Sequence, residues 1–89
     1  MSESLAIPAI HNNGTSKEDL LNNLSNAYTS LQESLGKLNK TGPHPRDYYV
    51  KQYDDYNAAK VQYRNRCNKI NEVMKELELI ATAIQTNER

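Results

Sequence analysis

Phenylalanine and tryptophan are absent from the 89 residues, so six tyrosines supply all the aromatic surface. Branched aliphatics are also scarce: nine Leu, five Ile and three Val make up about 19% of the chain. A chain this short buries only about 60–65% of its unfolded surface even when well folded. A monomer with so thin an apolar inventory is marginal, which predicts one small domain completed by self-association. Net charge is missing too, with 11 basic and 11 acidic residues. Neutrality argues against compositional disorder, which needs a large net charge, and against a dedicated DNA-binding protein. Cys67 stands alone, which excludes an internal disulfide and a cysteine-cluster zinc site. No run of 18 apolar residues occurs, so no membrane-spanning segment is expected. The first ten residues carry neither a basic n-region nor an apolar core, so no signal peptide is read and the cytoplasm is the expected compartment.

Pro8 and Asn12-Asn13-Gly14 interrupt any helix at the start, which makes residues 1–14 an irregular arm. Thr15-Ser-Lys-Glu18 has the capping-box form, a hydroxyl followed three residues later by Glu. Behind it Leu20, Leu24, Ala27 with Tyr28, Leu31, Leu35 and Leu38 recur at spacings of four and three, the stripe of an amphipathic helix over about 16–39. Gly42 and Pro43 punctuate its end. A loop over 40–49 leads to a second, longer helix over about 50–86. Its stripe runs Tyr49, Tyr53, Tyr56, Lys60, Tyr63, Cys67, Ile70, Met74, Leu77, Ala81 and Ile84, again by fours and threes, with Lys60 as its polar interruption. Val73, Ile80 and Ala83 widen the apolar surface toward the C-terminus.

These lengths, about 36 and 55 Å at 1.5 Å per residue, predict an all-α fold: an antiparallel helical hairpin over 15–89 with a longer second helix, assembled into a homo-oligomeric helical bundle. The unmatched length of helix two is expected to meet the N-terminal arm, another subunit, or both. Eleven asparagines, many inside the helices, mean that packing rather than propensity must hold these helices together.

Chemistry concentrates in Thr41-Gly-Pro-His-Pro-Arg-Asp-Tyr-Tyr-Val50. Two prolines stiffen the backbone around His44, Arg46 offers a planar fork of donors for phosphate or carboxylate, and Tyr48 offers a face on which a base can stack. Lys51, His11 and Asn12 complete the candidate ligand-binding set with Arg46, Tyr48 and His44. The plainer alternative is a helix-starting turn, with Pro45 at its first position, Asp47 facing the helix dipole and the tyrosines entering the core. For His11-Asn12-Asn13-Gly14 the alternative is an ordinary Asn-Gly turn. A metal site from His11, His44 and Asp47 is not assigned, since no third ligand is fixed beside the other two. The segment His44–Lys69 carries +3, residues 1–43 carry −1 and residues 70–89 carry −2. Phosphate attraction at the basic segment is set against solvated helix-face charge, and strong nucleic-acid binding is not expected. Cys67 and Tyr53, Tyr56 and Tyr63 are read as stripe residues. No triad, nucleophile elbow or phosphate-cradling glycine loop is present, so no enzyme activity and no cofactor are assigned.

The His-Asn-Asn-Gly arm at His11 to Gly14, the capped first helix, and the Gly-Pro-His-x-Arg-Asp-Tyr-Tyr loop at Gly42 to Tyr49 resemble small uncharacterised phage and prophage helical proteins, over a frame of about residues 11–86. More loosely, the hairpin architecture is similar to phage anti-defence sponges, which sequester cyclic oligonucleotides of CBASS or cyclic ADP-ribose signals of Thoeris inside homo-oligomers. This resemblance implies a small oligomeric phage-type protein of the host cell cytoplasm that sequesters a nucleotide-like immune signal, for which the loop's own chemistry offers Arg46 and Tyr48. The alternative is a non-enzymatic adaptor or inhibitor that docks a host or virion protein through helix two.

Overall fold

The computed structural model describes residues 5–48 and 53–86, with the backbone alone for Tyr53 and Asp54. Two helices pack against each other: α1, Lys17–Leu38, and α2, Tyr53–Thr86. No strand occurs among the described residues. The expected helical hairpin with a longer second helix is therefore the observed fold.

The start of α1 differs by one residue from the capping box expected at Thr15. Ser16 is the N-cap, and its hydroxyl accepts from the Asp19 N–H at 3.1 Å. Glu18 and Asp19 lie in the first turn and Lys37 in the last, charges of the sign that complements the helix dipole at each end. Leu20, Leu24, Tyr28, Leu31, Leu35 and Leu38 are half-covered while Ala27 is exposed. The stripe thus passes through Tyr28 rather than Ala27.

The far end of α1 closes without a left-handed glycine. Asn39–Thr41 tighten into a 3-10 turn, Thr41 Oγ1 donates to the Leu38 carbonyl at 2.7 Å, and Gly42 follows at φ −59°. Pro43, lacking an N–H, then prevents continuation. A Cβ at Gly42 would lie 3.5 Å from the Tyr63 ring, an ordinary van der Waals contact.

On α2, Tyr56, Tyr63, Cys67, Ile70, Leu77 and Ala81 are half-covered, and Met74 and Ile84 are buried at 7% and 2% exposure. Lys60 leaves the stripe, lying exposed with its Nζ 4.8 Å from the Tyr56 ring centroid, a cation–π arrangement. Two cross-helix hydrogen bonds fix the antiparallel register. Tyr28 donates to Glu78 Oε2 at 3.3 Å, and Tyr63 donates to Asn39 Oδ1 at 2.9 Å. The C-terminal half of α2 therefore runs beside α1, and α2 overshoots α1 at the loop end, before Tyr63, by about ten residues or 15 Å. Part of this overshoot is met by the connecting segment. The connecting segment itself folds back along α2, placing the Tyr48 ring 5.9 Å from that of Tyr56.

The molecule measures 62 × 27 × 18 Å, and its radius of gyration of 18.7 Å exceeds the roughly 12 Å of a compact domain of this length. Its accessible surface of 7303 Å² likewise exceeds the about 5300 Å² expected of a compact 10.2 kDa monomer. A two-helix layer has one internal face and leaves the others open.

Candidate functional site

The loop begins with a local instruction. His44 is extended (φ −114°, ψ 136°), as a residue before proline must be. Pro45 then starts a 3-10 turn, Pro45–Asp47, for which His44 is the N-cap: its Nδ1 accepts from the Arg46 N–H at 3.1 Å. An accepting Nδ1 leaves the ring proton of the neutral imidazole on Nε2. Asp47 and Tyr48 donate their N–H groups back to the His44 and Pro45 carbonyls at 3.0 and 2.9 Å. The helix-starting alternative thus describes much of what this segment does, although the turn is 3-10 and α2 begins only at Tyr53.

Folding back creates a half-open recess of about 80 Å³, lined by Thr41, Pro43 and Tyr48 of the connection and Ala59, Gln62, Tyr63 and Arg66 of α2. The volume is well short of the 300–1,000 Å³ of pockets that enclose small-molecule ligands. Tyr63, donating to Asn39, forms its floor toward α1. The Tyr63 hydroxyl holds its proton more tightly than an ordinary tyrosine, chiefly through the neighbouring Cys67 one turn on, with desolvation adding to the shift.

The six residues expected to bind a ligand fall into separate places. Tyr48 is half-covered and lines the recess. His44 and Arg46 are exposed on the neighbouring turn. His11 and Asn12 flank the other end of α1, beyond about 33 Å of helix. There Gly14 donates to the His11 carbonyl at 3.2 Å, and the imidazole lies so close over Gly14 that a Cβ would meet Nε2 at 2.7 Å. That segment is the compact Asn-Gly turn of the plainer reading. Lys51, together with Tyr49, lies outside the described residues, as do the side chains of Tyr53 and Asp54.

Gln62 and Arg66, which the recess adds, carried no strong signal in the sequence. They sit one turn apart inside the basic tract Lys60–Lys69, a face read as solvated charge. Only the return of the loop distinguishes them from Arg64 or Lys69. Among the described residues, no three His, Cys, Asp or Glu side chains converge as a metal site would require, and no helix is long and apolar enough to cross a membrane. No protein-family model, curated protein or solved structure matches the chain.

Proposed function

We propose that this protein is a non-catalytic helical interaction module that works in a self-associated form and presents the outer surface of α2 to its partner. The observation that carries this reading is the ratio of what is sealed to what is open. The described side chains include only Met74 and Ile84 as buried apolar groups, while Val61, Val73 and Leu79 of α2 stand 52%, 46% and 51% exposed. Val61 and Leu79 share one line along α2 and Val73 lies about 120° away, so exposed apolar groups are spread over the outer surface of the helix, where a partner would bury them. Light scattering tests the reading directly. A mass of two or more chains at micromolar concentration is expected, and a fully helical monomer overturns it.

The second reading is sequestration of a nucleotide-like signal by a phage-type assembly, favoured by one specific feature: Tyr48, Gln62 and Arg66 around the recess combine a ring, an amide and a guanidinium. Because the recess of about 80 Å³ is smaller than a nucleotide, this reading requires a second chain to supply the remaining wall. Calorimetry with cyclic di- and trinucleotides and ADP-ribose derivatives separates the readings. Binding that is lost in Arg66→Ala and weakened by about 1–3 kcal/mol in Tyr48→Ala supports sequestration. A silent panel leaves the interaction module.

A further inference from the structure

From that self-association reading we infer that two copies of this chain pair through α2 in antiparallel orientation, about a two-fold axis at Val73. Ala58, Asn65, Lys69, Glu72, Val73, Glu76 and Ile80 share one face of α2, about 120° around the helix from the α1-facing stripe of Tyr63, Ile70 and Leu77. The first six are exposed and Ile80 is half-covered. This face is divided by charge. Its charged residues are Lys69 on the N-terminal side of Val73, Glu72 beside it and Glu76 on the C-terminal side, whereas Lys60, Arg64 and Glu78 project from other sides of α2, Glu78 toward Tyr28 of α1.

A two-fold interface brings the same patch of each copy together, so residue i meets j and j meets i. Parallel pairing would set Lys69 on Lys69 and Glu76 on Glu76, a like-charge arrangement that is penalised. Antiparallel pairing about Val73 sets Lys69 of each copy against Glu76 of the other on both sides of the axis. The two Val73 side chains meet at the centre. The available area suffices. The accessible surface of 7303 Å² exceeds that of a compact chain by more than the about 800 Å² per partner that a standard interface buries.

Charge reversal and a distance measurement on the full chain test this geometry, with circular dichroism at 222 nm as the control for folding. Lys69→Glu is expected to weaken the dimer at least about tenfold in dissociation constant at low salt, the equivalent of about 1.4 kcal/mol, and Lys69→Glu with Glu76→Lys to restore it. In a parallel pair neither change matters, since like charges already face each other. A spin label at Val61→Cys in a Cys67→Ser background should report about 36 Å between copies, 24 residues of helix at 1.5 Å each, against about 10 Å for parallel pairing. A dimer with the short distance and no response to charge reversal overturns the antiparallel pairing while self-association stands. A monomer overturns both.

Discussion

The two ends of the hairpin are built differently. At the end where α1 begins and α2 finishes, aliphatic side chains do the sealing, and Ile84 reaches 2% exposure. At the loop end, rings and hydroxyls replace them: Tyr63 bonded to Asn39, Tyr48 tilted at 47° against Tyr56, and Lys60 over the Tyr56 ring. Aliphatic burial is non-directional and scales with area, so that end tolerates small shifts but not lost volume. Tyrosine contacts are directional and half-wet, so the loop end is held by geometry and yields in smaller steps.

The sharpest break in this comparison is Ile84→Ala. Removing three carbons from the most buried side chain should cost about 2–5 kcal/mol, read as a lower midpoint in urea unfolding followed at 222 nm. At the loop end Tyr48→Ala should cost about 1 kcal/mol, the scale of an aromatic pair, and leave helix content nearly unchanged. If it equals Ile84→Ala, the loop end is as much a core as the other. Tyr63→Phe keeps the ring and deletes the bond to Asn39. About 0.5–1 kcal/mol is expected for this exposed bond, and a double-mutant cycle with Asn39→Ala should return most of it as coupling.

The smallest effect lies at high pH, between the two ends. The Glu78 carboxylate holds the Tyr28 hydroxyl above the ordinary tyrosine value of 10.0, with desolvation and the hydrogen bond between them adding to the shift. A folded-state pKa above the unfolded one means the folded chain binds more protons in that interval, so stability falls as pH rises through it. The contribution is complete below pH 10 and fades above it. Tyr28→Phe should flatten that part of the stability–pH curve, and an unchanged slope would remove Tyr28 from the account.

Much of the fold was legible because helix periodicity needs no tertiary information. Leu20 to Leu38 and Tyr56 to Ile84 each mark the face that is covered, and their lengths require the second helix to overshoot. The site was less legible. Tyr48, singled out by its chemistry, lines the recess, whereas His44, named with it, caps the 3-10 turn. Its imidazole satisfies a local N–H, a role that sequence spacing does not separate from binding. Arg66 escaped notice because a charged residue in a charged tract looks solvated until another segment returns to it.

By itself, then, the sequence determined two amphipathic helices, their unequal lengths, the polar turn at Asn12–Gly14 and the break at Gly42–Pro43, all properties of residues within a few positions of each other. Only the tertiary structure decided that α2 overshoots at the loop end, that the connection folds back over it, and that Tyr48, Tyr63 and Arg66 share one recess. The helical period fixes which face of a helix is covered, but it is nearly unchanged by sliding one helix along the other. Register is chosen by contacts between residues far apart in the chain, here Tyr28 with Glu78 and Asn39 with Tyr63.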